Sequence, residues 1–313
     1  MVDRNNLAES SSIGVTAVIL SVASIISLYK IYSLFKSRLY FEAQKYLICI
    51  FLMPILIGWA GWIELLEEKK TPTLGFTQNL FKSACLASFM LYVERILGWE
   101  QDNGQNVYSE EIKFRSLVTG KAPRCLCRCI KFKPIETTED AKKYMNIVRF
   151  YVLQLCVILV FLGIIGLIII LTTDKFKFGE QSLDSIWFYF NMIQAISSVF
   201  ALLILLNFGM YVNALPDMGS LQILHKFAII KLGLLFTEFQ PIIISGIART
   251  GAIVDDSDYS NDEITLYTSN LLLCSEMIIM SFLIILIFPD SDYLKTPDVR
   301  KIIEHNEDSY LKL

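Results

Sequence analysis

The side chains of this sequence with most chemical potential are ionisable groups that lie inside long apolar stretches. Lys226, Lys231 and Glu238 fall within the apolar stretch 221–248, and Glu276 falls within another. A charge near the centre of a bilayer-spanning helix costs at least about 2.5–3.5 kcal/mol, so such residues usually face a protein interior or a water-filled pathway. These amines and carboxylates therefore predict a route for a polar or amphipathic solute through a membrane protein.

Polar residues in the last three apolar stretches follow helical spacing. Because an α-helix turns about 100° per residue, positions seven apart lie on one face, two turns apart. The predicted substrate-pathway residues are Asn191, Gln194 and Ser198 on one stripe, Lys231, Glu238 and Ser245 on the next, with Lys226 and Gln240 beside it, and Ser269 and Glu276 on the last.

Two questions about these stripes stay open at the level of sequence. Hydrogen bonding between helices, at roughly 0.6 kcal/mol per contact, is the alternative to a pathway. The buried glutamates are either neutralised by Lys231 or Lys226 across a helix pair or carry a proton because burial disfavours the charged form.

Three cysteines, Cys125, Cys127 and Cys129, alternate with other residues in the longest polar connection. Alternate spacing is too tight for a tetrahedral zinc site, and disulfides are disfavoured in the cytosol. Cysteines beside basic residues near a membrane suit S-palmitoylation, because the basic groups hold the segment against anionic lipid. We expect covalent palmitate here, with unmodified thiols as the alternative, and no other cofactor and no metal.

Charged residues in the third apolar stretch have different expected places. Glu94 and Arg95 lie near its cytosolic end, where we expect them to pair or to extend towards water. Lys82 lies in the outer half and is expected to reach the headgroups, with anion binding as the alternative.

The elements that must position these groups are transmembrane helices. The chain has 313 residues, is 54% hydrophobic and has a mean hydropathy of +0.50, which indicates a polytopic membrane protein. The fold is expected to be all-α, because a helix satisfies its own backbone hydrogen bonds in lipid. We predict one domain, 1–313, with seven spans at about 12–35, 44–65, 76–98, 147–172, 185–213, 221–248 and 265–288.

The orientation follows from the positions of Lys and Arg. These residues are concentrated in the connections between spans one and two and between spans three and four, and in the C-terminal tail. The positive-inside rule then places the N-terminus outside and the C-terminus in the cytosol, together with the cysteine-containing loop 99–146 and the tail 289–313.

No motif for enzymatic catalysis or ATP hydrolysis is present. The sequence contains no GxxxxGK[ST], GxGxxG or HExxH, and its histidines are His225 and His305. We therefore expect no enzyme and no nucleic-acid partner. Transport would have to run on the gradient of the substrate or of a co-ion.

The run KFAIIKLGLLFTEFQPIIISGIARTGAI, followed later by LLLCSEMIIMSFLI, resembles the organic solute transporter alpha family. In that family a lysine-containing helix runs into Gln-Pro and the last span carries a central glutamate. Gln240, Pro241 and Glu276 match these positions, and the likeness extends to the cysteine-rich segment and the span spacing.

The resemblance implies a facilitative transporter subunit for amphipathic organic anions such as bile acids and conjugated steroids. It also implies a small single-span beta subunit as partner, and a homodimer is compatible with it. Membrane lipid surrounds the chain in either case. The expected location is the plasma membrane, with an endomembrane as the alternative.

Two other function classes fit parts of the sequence. A non-transporting seven-span scaffold or trafficking protein would use the acylated loop and carry nothing. A seven-span receptor has the same topology, but here Tyr92-Val-Glu94-Arg95 is the nearest approach to a DRY motif and NPxxY is absent from the last span.

Overall fold

The computed structural model describes residues 4–36, 41–67, 72–102, 105–119, 121–123, 132–172, 186–215, 218, 222–249 and 261–289. Within these residues the chain forms seven long helices of 26 to 35 residues, one short helix and one hairpin. In chain order the elements are α1 (Arg4–Lys36), α2 (Phe41–Glu67), α3 (Pro72–Leu97), β1 (Trp99–Asp102), β2 (Gln105–Tyr108), α4 (Glu110–Ser116), α5 (Thr138–Thr172), α6 (Ile186–Asn213), α7 (Ile223–Arg249) and α8 (Asn261–Ile287).

Among the described residues, five of the long helices contain stretches that are long and apolar enough to cross a membrane. The five stretches are Ser12–Lys36, Ala43–Leu66, Thr138–Gly166, Met192–Asn213 and Tyr267–Ile287. Their outward faces carry large exposed apolar side chains, among them Val18, Phe150, Phe161 and Leu286. Contiguous apolar surface of this kind is stable against lipid and costly against water. The chain is therefore a multi-pass helical membrane protein.

The two remaining long helices, α3 and α7, lie between two groups of helices. One group consists of α1, α2 and α8, and the other of α5 and α6. Helix α3 packs on α2, α5 and α7, while α7 packs on α8, α6 and α3. Because both helices have protein on several sides, their polar residues can be kept away from fatty tails. This arrangement brings the candidate residues into the interior.

Close approach within the first group depends on a glycine in α2. A Cβ at Gly58 would lie 2.6 Å from Leu20 Cδ2 of α1 and 3.3 Å from Met277 Cβ of α8. Small residues at helix interfaces allow backbones to approach closely in membranes. Gly58 therefore lets α2 contact both neighbours at one level.

Helix α5 begins at Thr138, earlier than the predicted boundary at about 147. Thr137 provides the reason, because its hydroxyl accepts a hydrogen bond from the Asp140 backbone N–H at 3.2 Å and donates one to the Asp140 carboxylate at 2.7 Å. This reciprocal cap starts the helix before its apolar stretch.

The connection after α3 contains a β-hairpin and a short helix. Strands β1 and β2 pair antiparallel with Trp99 opposite Tyr108, and Arg95 at the end of α3 stacks on the Tyr108 ring at 4.3 Å. The short helix α4 follows, with Ser109 as its N-cap, accepting from the Glu111 N–H at 3.2 Å. The long helices agree with the predicted all-α fold. The hairpin between α3 and α4 was not predicted.

Candidate functional site

A cavity with polar side chains lies between α3, α5 and α6. It encloses about 10 Å³, which is room for about one water molecule. Helical spacing explains its composition, because residues three, four and seven apart share one face. The residues that line this polar cavity are Asn79, Lys82, Ser83 and Leu86 of α3, Leu155 and Leu159 of α5, and Gln194, Ser198 and Leu202 of α6.

The polar cavity combines a charged group, neutral hydrogen-bonding groups and an apolar wall. Asn79 Nδ2 donates to Gln194 Oε1 at 3.1 Å, which joins α3 to α6. Lys82 is 8% exposed. The expectation that Lys82 reaches the headgroups is therefore wrong: its helix is flanked by protein, and its side chain lines an interior space. Gln194 and Ser198, predicted as pathway residues, face this space.

Glu276 of α8 is half-buried, and its carboxylate interacts electrostatically with the Lys82 ammonium. Its Oε2 atom is buried and has no hydrogen-bond partner among the described residues. The sequence analysis proposed Lys226 or Lys231 as the neutralising cation. Lys82, from a helix that the stripes of the last three spans did not include, also contributes positive charge at Glu276.

Gln240 and Ser269 meet at the α7–α8 interface. Gln240 Nε2 donates to the Ser269 backbone carbonyl at 3.1 Å, and both residues are buried. This contact is a hydrogen bond between two helices, which is the alternative to a pathway that the sequence left open. It also fixes the register of α7 on α8.

The two lysines of α7 lie apart from the polar cavity. Lys226 is fully buried, and its Nζ lies 5.1 Å from the centroid of the Phe288 ring, a cation–π contact. Lys231 is half-buried. Neither residue lines the polar cavity.

Several predicted residues fall outside what the structure describes. Asn191 lies in α6, and Glu238 and Ser245 lie in α7, but their side chains are outside the described part. Cys125, Cys127 and Cys129 lie entirely outside the described residues. The chain on either side of the cysteines is described: Ile135 N donates to the Lys121 carbonyl at 3.3 Å, and Ile135 is buried in the core.

A cluster of charged side chains lies at the end of α3. Of its members, the sequence analysis named only Glu94. Lys113 Nζ of α4 is 2.8 Å from Glu94 Oε1, and Arg149 Nε of α5 donates to Glu94 Oε2 at 3.0 Å. The Arg149 Nη2 atom also pairs with Glu94 Oε1. Glu94 and Lys113 are 3% and 0% exposed. This buried triad attaches the short helix of the connecting loop to the bundle.

No group of three or more His, Cys, Asp or Glu side chains is placed to hold a metal ion within the described ranges. The polar groups are thus arranged around a cavity and between helices.

Comparison with known families gives one match. The family described as organic solute transporter Ostalpha matches residues 12–293, a range that includes α2 to α8 and most of α1. The chain belongs to the Ostalpha family. No curated protein and no solved structure matched it.

The Ostalpha match confirms the resemblance drawn from Gln240, Pro241 and Glu276. It places the chain in a transporter family and not in an enzyme family. Within this Ostalpha chain, the residues that the sequence analysis left out of the pathway are Asn79, Lys82 and Ser83. Their i, i+3, i+4 spacing on α3 is the signal that could have identified them.

Proposed function

We propose that this Ostalpha protein is a facilitative transporter subunit for amphipathic organic anions, including bile acids and conjugated steroids. The observation that carries the proposal is family membership over residues 12–293. The polar side chains between α3, α5 and α6 support it, because the bundle keeps a lysine and several hydrogen-bonding groups in its interior. Since no ATP-binding motif is present, the driving force is the gradient of the substrate or of a co-ion.

The proposed topology has seven spans, with the N-terminus outside and the C-terminus in the cytosol. Support for α3 as a span comes from its position directly after α2. Only residues 68–71 separate the two helices, and they pack on each other. A short connection between packed helices makes them antiparallel neighbours. Helix α3 therefore crosses back through the layer that α2 spans, and α7 does the same between α6 and α8.

The proposed pathway follows the polar side chains from the polar cavity towards α7 and α8. We assign to it Gln194 and Ser198, which line the polar cavity, and Glu276, which is half-buried in α8. Asn191, Lys231, Glu238 and Ser245 are retained from the sequence pattern, and Lys226, Gln240 and Ser269 are assigned to the packing that supports it. We place the protein in the plasma membrane, with a small single-span beta subunit as partner and a homodimer as a second assembly.

Flux measurement tests this proposal directly. We expect proteoliposomes with the purified protein and its single-span partner to take up taurocholate and estrone sulfate faster than empty vesicles, in both directions according to the gradient. Uptake that is indistinguishable from empty vesicles with every partner tried would overturn the transport function. A scaffold role would then remain, and it predicts that neutral replacement of Glu238 and Glu276 leaves localisation unchanged.

We also propose that Cys125, Cys127 and Cys129 carry palmitate. The described ends of their segment support this, because Lys121 and Ile135 hold it closed and Phe132 packs edge-on against Tyr144 of α5 at 5.1 Å between centroids. The described residues on the C-terminal side of the cysteines therefore lie beside the first part of α5. Acyl chains attached there would lie against the bilayer and could form the wall of a groove.

Intact-mass spectrometry of protein purified from a eukaryotic membrane tests the lipidation. We expect mass increments of palmitoyl groups that hydroxylamine removes. Replacing the three cysteines by serine should abolish the increments, whereas replacing the fully buried Cys85 by serine should not change them. An unmodified mass in the parent protein would show that the thiols are free.

A further inference from the structure

We propose that residues 109–119, which consist of α4 and its two flanks, form a gate over the end of the bundle that the proposed topology places in the cytosol. In the structure this gate segment is closed over Asn207 of α6. The inference rests on the proposed function, because a transport route has to be closed at one end while it is open at the other. It assigns that closure to a short helix outside the seven long ones.

The gate segment is attached to α3 and α5 through charged groups. Lys113 Nζ of α4 lies 2.8 Å from Glu94 Oε1 of α3, and Glu94 Oε2 accepts a hydrogen bond from Arg149 Nε of α5 at 3.0 Å. Ser116 Oγ lies 3.3 Å from the Leu97 carbonyl oxygen, also in α3. Glu94 and Leu97 belong to the last turn of α3, so the gate segment lies at the end of that helix.

Helix α6 holds the gate segment through one tyrosine. The Tyr211 hydroxyl donates to the Leu117 carbonyl and accepts from the Thr119 hydroxyl, both at 2.7 Å. Lys113 and Leu117 are four residues apart and therefore lie on one face of the segment, and both are 0% exposed. The gate segment is therefore inserted among α3, α5 and α6 and does not merely lie on their surface.

The attachments of the gate segment are polar, so water can replace them. A buried ion pair loses hydration as it gains attraction, and its net contribution to stability is therefore small. Release of α4 would return Lys113 to water, whereas removal of Glu94 leaves Lys113 buried without its main partner. The first change costs much less than the second, so the gate segment can open while the long helices stay folded.

Asn207 is the polar side chain that the closed gate segment shields from water. It lies four residues before Tyr211 on the same face of α6, about 6 Å deeper along the helix. Asn207 is 1% exposed, and neither Nδ2 nor Oδ1 has a hydrogen-bond partner among the described residues. A buried amide without partners is costly, and water or a polar group of a solute would satisfy it. Opening of the gate segment provides that partner.

Chemical labelling of a cysteine at position 207 tests the gate. Asn207→Cys is made in the full-length protein and reconstituted in nanodiscs, a membrane-impermeant charged maleimide is added, and peptide mass spectrometry locates the label. We expect slow labelling of position 207 when the gate segment is otherwise unchanged. Adding Lys113→Glu should speed it by at least about tenfold, because Glu94 then repels α4.

Arg115→Glu is the matched control, since it makes the same change of charge on the exposed face of α4. It should leave labelling of position 207 unchanged. Cys85 of α3, which is 0% exposed, reports unfolding of the bundle in the same samples. Equal labelling of position 207 with Lys113→Glu and with Arg115→Glu, while Cys85 stays unlabelled, would overturn the gate.

Tyr211→Phe decides the question if Lys113→Glu unfolds the bundle and Cys85 becomes labelled. This variant removes the hydroxyl that holds Leu117 and Thr119 and keeps the ring that packs edge-on against Tyr144. We expect it to speed labelling of position 207 by about two- to fivefold, the effect of losing hydrogen bonds of ordinary strength. No change in the labelling rate with Tyr211→Phe would then overturn the gate.

Taurocholate flux in proteoliposomes separates the gate from the proposed function. Labelling that depends on Lys113, in a protein that moves no taurocholate with any partner, would support the gate segment as a mobile cover and overturn transport. Flux in the parent protein, together with labelling that does not depend on Lys113 or Tyr211, would overturn the gate and leave transport intact.

Discussion

Replacing Glu94 by glutamine lowers the stability of the folded protein by about 3–5 kcal/mol, the range for breaking a buried ion pair by removing one partner. Glu94 is the carboxylate that Lys113 and Arg149 share, and Lys113 is completely buried. Without it, the nearest remaining carboxylate is that of Glu110, which lies 3.4 Å from Lys113 Nζ and is 67% exposed. Two cations from different helices then lose the group that holds them together.

Thermal unfolding of the purified protein in detergent measures this effect. We expect the midpoint to fall by about 6 °C or more, using the conversion for chains of this size. Glu139→Gln is the matched control, because it removes the carboxylate of an exposed pair with Lys143 at 4.0 Å. Such a surface pair contributes about 0–1 kcal/mol, so its midpoint should barely move. Equal midpoints for the two variants would show that the triad does not support the fold.

Loss of the triad should first release the connecting loop. Lys113 belongs to α4, and the chain beyond α4 is held by the Tyr211 hydroxyl, which donates to the Leu117 carbonyl at 2.7 Å. With the triad lost, limited proteolysis of Glu94→Gln should cut between α4 and α5 sooner than in the parent protein. Local opening of this kind precedes global unfolding where few buried contacts remain.

The positions of the long helices could be predicted from the sequence because each one is a sustained apolar stretch. The family could be predicted from Gln240, Pro241 and Glu276, and the faces of Gln194 and Ser198 from helical spacing. These features are local, since they depend on residues within a few turns of one another.

The features that could not be predicted depend on which helices are neighbours. The partners of Glu94 are 19 and 55 residues away in the chain, and no pattern in the sequence connects them. We predicted that Lys82 reaches the headgroups because the sequence gives only its position along α3. The sequence does not show that other helices surround α3. Helix α4 has seven residues, too few for periodicity to identify it.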